Sequence, residues 1–468
     1  MWLWGLLARS GSLGTVRTGR DVVKWESLAD SSSLEGRVEQ MRGRSVLLAT
    51  QRQLPAALAL LELDGVARRV VLSPPALSAA YIPGIMRDAA IDACVWDVES
   101  RDAAIAVGVS EPDVSVAARG RLVPLGSTRF QSEDTEWVLL TSGTTGAPKL
   151  VVHTCKSLTN AFAGQPSSER AVVWSTFYDI RRYGGLQIFL RAVHSGSLVL
   201  SEASESAGEF LKRAGRDGVT HLSGTPSHWR RALMSGMASE IAPRYVRLSG
   251  EIADQPILES LKLAYPDSSI DHAFASTEAG VVFAVGDCLA GFPKELLNST
   301  SADTEVRVVQ GSLQVRGPGT AERYLGQGVA PLRRADGFVD TGDLLELHAG
   351  RYRFLGRAGG IINVGGLKVH PEEVEAIINE HPRVQMSLVK ARRNPIVGAI
   401  VTAEVLPRKS FPDSHPVADD SVSFNATLVR EILDLCRRRL APHKVPATIR
   451  VVPALEISVS GKLVRSDA

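Results

Sequence analysis

The chain has 468 residues, of which 44% are apolar and 22% charged, and its formal net charge is +2. This length is enough for two or three domains, and the balanced charge excludes broad binding to nucleic acid or to an anionic membrane surface. The apolar start, Met1 to Leu7, is too short to span a bilayer and lacks the basic region of a signal peptide. Four widely spaced cysteines show no metal-ligand pairing. We therefore expect a reduced, cytoplasmic protein without a membrane span or a nucleic-acid partner.

Apolar runs and Ala/Leu-rich stretches alternate along the first half of the chain. Residues 45–49 and 69–72 read as strands on either side of a helix at 54–63, a βαβ pattern that predicts a parallel sheet with helices on its faces. The same pattern returns between residues 171 and 222. From about residue 304 short alternating strands at 305–309 and 312–315 predict a small antiparallel barrel or sheet.

The pattern of predicted elements changes near the glycine-rich segment Gly356 to Gly360. This change predicts a domain boundary, with an N-terminal core at 1–356 and a smaller unit at 357–468. The second unit reads as compact α+β. Its predicted elements are a helix at 371–378, strands at 384–390 and 399–405, a polar surface loop at 407–420 and an amphipathic helix at 426–440.

The most informative segment lies between two apolar runs and consists of Thr141, Ser142, Gly143, Thr144, Thr145 and Gly146, with Lys149 close behind. Glycine allows the backbone to approach a ligand closely, so such a loop can offer N–H groups and short hydroxyls to a phosphate. It is not a Walker loop, because Pro148 rather than glycine precedes the lysine. The alternative interpretation of this composition alone is a surface hairpin turn.

Six further signals follow the loop in a fixed order. They are Ser223-Gly224-Thr225-Pro226-Ser227, Leu248-Ser249-Gly250-Glu251, Phe274-Ala275-Ser276-Thr277-Glu278, Asp340-Thr341-Gly342-Asp343, Gly356-Arg357 with Asn363 to Val369, and Ser460-Gly461-Lys462.

With these motifs the chain resembles the adenylate-forming superfamily over about residues 44 to 465. That superfamily includes acyl-CoA synthetases, aryl-acid ligases, nonribosomal peptide adenylation domains and firefly luciferase. The resemblance implies an α/β fold: a large N-terminal domain of layered α/β subdomains with a small β-barrel, followed by a smaller, mobile α+β C-terminal domain. It also implies that ATP and Mg²⁺ are used to activate a carboxylic acid.

The resemblance further implies roles for individual residues in an ATP site. Glu278, beside Thr277, holds Mg²⁺ on the phosphates, and Asp343 accepts hydrogen bonds from the ribose hydroxyls. The remaining implied ATP contacts are the loop Thr141 to Gly146 with Lys149, Gly250 and Glu251 at the border of adenine, Phe274 in the place of a tyrosine that stacks near adenine, and Arg357 at ribose or phosphate.

Lys462 matches the mobile catalytic lysine of the superfamily. A lysine that bridges the attacking carboxylate and the α-phosphate stabilises the charge of the in-line transition state and orients the attack. Taken alone, Lys462 would read as a tail lysine, Glu278 as a surface charge and Asp343 as a turn acid. Four histidines near the motifs, His153, His221, His228 and His272, read as packing or hydrogen-bonding residues because no metal-ligand spacing is present.

In the superfamily the acyl-adenylate is trapped by a thiol after the small domain rotates. Gly365 and Gly366 match the loop that lines the thiol channel, where glycines let a narrow pantetheine arm pass. At the hinge, Gly359 stands where relatives have Asp or Lys, so we expect greater torsional freedom there.

The resemblance also outlines the pocket for the acid. Its residues are Tyr178, Asp179, Tyr183, Gly184, Ser223 and Ser249. Tyr183 occupies the position at which peptide-synthesis domains place an aspartate for the substrate's α-amino group, and Asp179 lies one turn earlier. An aryl or short-to-medium acyl acid without an α-amino group is therefore favoured. The nearby Arg181 and Arg182 could contact a polar substituent of the acid, but we expect them to face solvent.

The sequence thus predicts an AMP-forming acid–thiol ligase that uses ATP, Mg²⁺ and coenzyme A. Two alternatives remain open. One is a stand-alone adenylation enzyme that loads the phosphopantetheine of a carrier protein in trans. The other, of a different class, is a nucleotide-binding regulatory homologue without turnover.

Overall fold

The fold was taken from a computed structural model, and the described residues are 2–10, 14–75, 77–97, 114–117, 122–125, 131–141, 147–162, 164, 171–298, 303–394, 398–408, 418–456 and 463. Along residues 2–164 the elements are β1 (Thr15–Arg17), β2 (Val22–Lys24), β3 (Ser31–Ser32), β4 (Ser45–Ala49), β5 (Arg69–Leu72), β6 (Ala93–Trp96), β7 (Val114–Ala117), β8 (Val123–Pro124), β9 (Glu136–Leu140) and β10 (Leu150–Thr154), with α1 (Leu3–Ser10), α2 (Gln53–Leu63), α3 (Ile82–Asp88) and α4 (Cys155–Thr159).

Along residues 171–298 the elements are β11 (Val172–Thr176), β12 (Gly196–Val199), β13 (His221–Gly224), β14 (Tyr245–Ser249), β15 (Ser269–Ser276), β16 (Gly280–Val285) and β17 (Phe292–Pro293), with α5 (Tyr183–Ser195), α6 (Ala207–Arg216), α7 (Pro226–Met234) and α8 (Gln255–Ala264). Along residues 303–463 they are β18 (Glu305–Val309), β19 (Ser312–Arg316), β20 (Arg323–Leu325), β21 (Val339–His348), β22 (Arg351–Arg357), β23 (Ile362–Val364), β24 (Leu367–Val369), β25 (Val384–Asn394), β26 (Gly398–Pro407) and β27 (Thr448–Val451), with α9 (Pro371–Asn379) and α10 (Ala418–Arg439).

The first large sheet carries most of the motif segments. Within the described residues its strand order is β16-β15-β14-β13-β11-β12-β1-β2, and β12, β11, β13, β14 and β15 run parallel to one another, whereas β16 pairs antiparallel with β15. Helix α5 packs on one face, whereas α6, α7 and α8 pack on the other. Since parallel strands share one carboxyl edge, the motifs that follow β13, β14 and β15 all meet at that edge.

The second sheet holds the base of the hydroxyl-rich loop. Its order in the described chain is β20-β10-β9-β5-β4-β6-β7, and β4 pairs in parallel with both β5 and β6. The predicted βαβ unit at 45–72 is therefore confirmed. Strands β9 and β10 form an antiparallel hairpin, and the Thr141 N–H donates to the Lys149 carbonyl at 3.1 Å at its loop end.

The predicted small β unit is confirmed as a five-stranded antiparallel sheet in the order β17-β22-β21-β19-β18. The C-terminal residues form the predicted α+β unit, in which β25, β26 and β27 pair and α9 and α10 pack on them. Helix α10 begins at Ala418, earlier than the expected residue 426. No described helix has the length and apolar character needed to cross a bilayer.

The C-terminal unit has a hydrophobic core of its own. Val374, Ile378 and Ile432 are fully buried there, and the members of this core all lie between residues 362 and 451. A separate core on the α6–α8 face of the first sheet contains Leu211. Residue 357 as the start of a separate domain stays a prediction, and these separate cores make it testable.

We expect Ile432→Ala to lower the free energy of unfolding of the C-terminal unit by about 2–5 kcal/mol, because it leaves a cavity at a fully buried position. Hydrogen-exchange mass spectrometry should show faster exchange in peptides from residues 362–451 and little change in those from 207–270. Leu211→Ala is the matched control and should show the reverse. Equal losses in both regions from either variant would contradict a separate C-terminal domain.

Candidate active site

A buried histidine joins the two large sheets at their motif-bearing edges. His153, on β10, has no exposed surface, and its Nε2 lies 2.6 Å from the Thr277 carbonyl oxygen beyond β15. Its Nδ1 lies 2.9 Å from the Ser157 hydroxyl. Burial lowers the His153 pKa to about 4, so the ring is neutral at pH 7. Because a carbonyl only accepts, Nε2 carries the hydrogen and Nδ1 accepts from Ser157.

Glu278 lies next to this junction and contacts a tyrosine from the opposite sheet. Its carboxylate lies close enough to Tyr324 of β20 to raise the pKa of that phenol, and the Ala321 N–H donates to the Glu278 carbonyl at 2.9 Å. Burial, helped by the charge of Glu278, raises the pKa of Tyr324 to about 12, so the phenol stays protonated. The Lys149 ammonium lies 4.9 Å from the centroid of the Tyr324 ring. Lys149, Tyr324 and Glu278 thus stand side by side.

Sequence reasoning missed Tyr324. It comes to the site because β20 pairs antiparallel with β10, which sets Tyr324 opposite Val151. That pairing joins segments far apart in the chain, and no local pattern around Tyr324 predicts it. The Arg323-Tyr324-Leu325 run reads only as a short strand.

Two residues assigned to ribose and phosphate contact each other. Asp343 of β21 and Arg357 of β22 are partners in register, and the Arg357 Nε donates to Asp343 Oδ1 at 3.1 Å. Arg357 is also close enough to Tyr324 for its charge to lower the pKa of that phenol against the larger effect of burial. The structure therefore brings both residues to the Glu278 side of the site.

Glu251 forms a contact with the tail of the chain. Its Oε2 accepts from the Ser227 N–H at 2.9 Å, at the start of α7, and its Oε1 accepts from the Leu463 N–H at 3.3 Å. Gly250 precedes it with φ +82°, a conformation that favours glycine. Leu463 adjoins Lys462, so the neighbour of the expected catalytic lysine reaches the same carboxyl edge of the first sheet.

A second contact joins the C-terminal unit to this edge. The Asn379 side-chain amide of α9 donates to Asp254 Oδ2 at 3.0 Å, and Asp254 also pairs with Arg230 at 2.6 Å. Asp254 caps α8 by accepting from the Ile257 N–H at 3.2 Å. The C-terminal unit therefore contacts the turn after Glu251 as well as Glu251 itself.

The predicted pocket residues gather between α5 and β14. Tyr178 donates to the Ser249 carbonyl at 2.6 Å, and a Cβ added at Gly184 would lie 3.4 Å from the Tyr178 ring. The Tyr183 ring lies 5.7 Å from that of His153, centroid to centroid. Ser223 of β13 is buried beside β14. Burial raises the pKa of both tyrosines, so both stay neutral.

Asp179 is engaged by its own neighbour. Its Oδ2 lies 2.6 Å from Nη2 of Arg181, whose side chain is 1% exposed. The same guanidinium donates to the carbonyls of Thr50 and Gln51. The expectation that Arg181 faces solvent is wrong, because its planar fork neutralises Asp179 and satisfies carbonyls at the end of β4.

Phe274 is stacked in the small β unit, 5.3 Å from Phe354 and 5.6 Å from Phe283 between centroids. Its contact with adenine stays a prediction. Gly365 and Gly366, with φ +58° and +88°, form the two-residue turn between β23 and β24, and their role in a thiol channel also stays a prediction.

The Ser142 to Gly146 segment and Lys462 lie outside the described residues, although Thr141, Lys149 and Leu463 beside them are described. Across the described part of the chain no three His, Cys, Asp or Glu side chains cluster as a metal site.

Comparison with known proteins agrees with this geometry. Residues 44–325 match the AMP-binding enzyme family, and residues 373–462 match the AMP-binding enzyme C-terminal domain. The probable non-canonical nonribosomal peptide synthetase CymA of Salinispora arenicola is 27% identical over 405 residues, which are 80% of this chain and 5% of that protein. The 2-succinylbenzoate–CoA ligase of Staphylococcus aureus is 23% identical over 352 residues, 73% of this chain and 68% of that ligase.

Solved structures share the fold. The anthranilate CoA ligase AuaEII, in complex with anthranoyl-AMP, superposes with a TM-score of 0.78 at 17% identity and covers 99% of this chain and 95% of its own. MatB from Rhodopseudomonas palustris, with ATP bound, gives 0.75 at 20% identity, with 99% and 97% covered. The resemblance and the two-part α/β architecture predicted from the motifs are thus confirmed: the chain belongs to the AMP-binding enzyme family, the adenylate-forming superfamily of AMP-forming ligases.

Proposed function

We propose that the protein activates a carboxylic acid with ATP as an acyl-adenylate and transfers the acyl group to the thiol of coenzyme A. The observation that carries this proposal is the meeting of Lys149, Tyr324, Glu278, Asp343 and Arg357 at one edge of the two sheets. Two cations, two carboxylates and a phenol at that edge suit a triphosphate with its metal ion and its ribose. The CoA ligases among the relatives support the choice of acceptor.

The donor set at this edge fits Mg²⁺ held mainly by substrate phosphates. Glu278 supplies one half-buried carboxylate, and the described residues around it add no further acid cluster. Mg²⁺ is commonly bound by one or two carboxylates together with phosphate oxygens and water. Bound there, it would neutralise phosphate charge. We propose that Tyr324, whose phenol stays protonated beside Glu278, helps to orient that carboxylate.

In the first half-reaction the acid's carboxylate attacks the α-phosphate and pyrophosphate leaves. We propose that Lys462 contributes a point charge at the attacking and α-phosphate oxygens, where negative charge accumulates. The Glu251–Leu463 hydrogen bond supports this role, because it holds the neighbour of Lys462 at the motif edge. Lys149 and Arg357 stand on the other side of that edge.

The pocket supports an acid without an α-amino group. The carboxylate of Asp179 already binds the buried Arg181, so it is not free to pair with a substrate ammonium. Removing one partner of a buried ion pair leaves an uncompensated charge, which makes reassignment of Asp179 costly. Aryl or short-to-medium acyl acids therefore remain our proposal.

For the second half-reaction we propose that the unit starting at residue 357 rotates about the Gly359-Gly360 pair. A Cβ added at either glycine would meet nothing within 4 Å, so packing does not restrain this segment. Rotation would withdraw Lys462 and bring the Gly365-Gly366 turn to the thiol. A carrier protein in place of coenzyme A is the second candidate, because CymA, a nonribosomal peptide synthetase, is similar over 80% of this chain.

Acyl-transfer assays distinguish the two acceptors. With coenzyme A as the only thiol, we expect an acyl-CoA and stoichiometric AMP from an acid that supports ATP–pyrophosphate exchange. ATP–pyrophosphate exchange without acyl-CoA formation, followed by an acylated carrier once a phosphopantetheinylated carrier protein is added, would favour a carrier protein as the acceptor. ATP binding without exchange for every acid tested would favour a homologue that has lost turnover.

We expect Lys462→Ala to raise the activation free energy of acyl-adenylate formation by several kcal/mol, because it removes a cation from the negative charge that develops on the phosphate oxygens. Thioester formation from supplied acyl-adenylate should stay nearly intact, since that step no longer uses this lysine. Single-turnover assays of each half-reaction measure both. Equal losses in the two steps would contradict the proposed alternation.

We expect Glu251→Ala to slow adenylation about 10- to 100-fold, because a hydrogen bond to a charged group that orders the tail is lost. Glu251→Gln keeps an acceptor oxygen and should lose much less. Glu240→Ala, at an exposed glutamate, is the control and should behave as the unaltered protein. A Glu251→Ala variant with unchanged single-turnover adenylation would show that the tail contact has no part in this step.

A further inference from the structure

Two arginines face each other beneath the acid pocket. Side chains alternate along β14, so Tyr245, Arg247 and Ser249 share one face, while Val246 and Leu248 belong to the core on the other. The first face is turned toward α5, which carries Arg191. Arg247 is 7% exposed, and it is close enough for its charge, together with burial, to lower the pKa of Arg191 to about 10.

The contacts of these guanidinium groups leave them without a carboxylate partner in the described part of the chain. Arg247 Nη1 donates to the Tyr245 hydroxyl at 3.1 Å, and that hydroxyl donates to Asp271 Oδ2 at 3.0 Å. Asp271 lies across from Arg247 on β15, and Tyr245 bridges the two, so this one carboxylate compensates part of the positive charge. Arg191 lies over the rings of Phe162 and Trp174, with its Cζ 4.8 and 6.0 Å from their centroids.

Other arginines with little exposure in the same half of the chain each have a carboxylate partner. Arg181 pairs with Asp179 at 2.6 Å, Arg213 with Glu205 at 2.5 Å, and Arg230 with Asp254 at 2.6 Å. Arginine is rarely buried without a partner, because its desolvation needs an opposite charge nearby. The two guanidinium groups share one nearby carboxylate, that of Asp271, so one positive charge remains to attract an anion.

The position of this pair relates it to the reacting carboxylate. Arg247 lies two residues before Ser249 on β14, a separation of roughly 7 Å along the strand. Ser249 leads into Gly250 and Glu251 at the motif edge, and Tyr178 covers it. The charges of both arginines act to lower the pKa of the Tyr183 phenol, so this side chain lies near both of them. The arginine pair thus lies at the end of the pocket away from the ATP site.

We propose that the acid is a dicarboxylic acid, in which one carboxyl group is adenylated and the other binds between Arg247 and Arg191. This inference rests on the proposed acid activation and names its substrate class. Arg247 presents a planar fork that suits a carboxylate, and the aromatic side chains beside Arg191 accommodate an aryl or alkyl spacer. Monocarboxylic acids of the same size would leave one of the two guanidinium charges uncompensated in the pocket.

ATP–pyrophosphate exchange with matched acid pairs tests this, for example hexanoate against adipate and benzoate against terephthalate. We expect the better diacid to exceed its monoacid at least about tenfold in kcat/KM, the effect of a charge-assisted hydrogen bond. Arg247→Met should lower the diacid value about 10- to 100-fold and leave the monoacid within about twofold. Arg247→Lys should retain part of the preference. Arg216→Met, at an exposed arginine, is the control and should change neither value.

A preference for monoacids, or equal losses for both members of a pair in Arg247→Met, would overturn the proposed substrate class. Arg191→Met is an independent test if the Arg247 variant unfolds. It should show the same selective loss of kcat/KM for the diacid. Absence of exchange with every acid, despite ATP binding, would instead overturn the proposed acid activation itself.

Discussion

The hydrogen bond from His153 Nε2 to the Thr277 carbonyl is the contact on which the geometry of the site depends. It joins β10 of one large sheet to the end of β15 of the other, at a point that is fully buried. Because burial keeps the ring neutral and the Thr277 carbonyl fixes its tautomer, Nε2 is a directed donor rather than a mobile charge. The hairpin that bears the hydroxyl-rich loop and the strand that presents Glu278 are thereby held in one register.

From this junction the site extends in two directions, and the side chains that line the two directions differ in charge. Toward the proposed ATP site, Lys149 and Arg357 lie near two carboxylates, those of Glu278 and Asp343. Toward the acid, Tyr178 and Tyr183 are buried and neutral, and the next charges are the two arginines at the far end. An apolar segment between two charged ends favours a substrate that is itself anionic at both ends, with the end near ATP set for attack.

Sequence patterns predicted the elements whose cause is local. The alternation of strands and a helix at 45–72 is set by periodicity, and the motif residues after β13, β14 and β15 meet because parallel strands share an edge. Tyr324 and the Glu251–Leu463 contact depend on pairings between distant segments, which no local pattern encodes. Arg181 was assigned to solvent for the same reason, since its carbonyl partners lie about 130 residues earlier in the chain.

The most direct test of the account follows the oxygen atoms of the acid. If the carboxylate attacks the α-phosphate and a thiol then displaces AMP, an acid labelled with ¹⁸O in its carboxyl group transfers one labelled oxygen to AMP. Mass spectrometry of the products should therefore find a single ¹⁸O in AMP and none in pyrophosphate. Unlabelled AMP, or label in pyrophosphate or orthophosphate, would contradict activation through an acyl-adenylate.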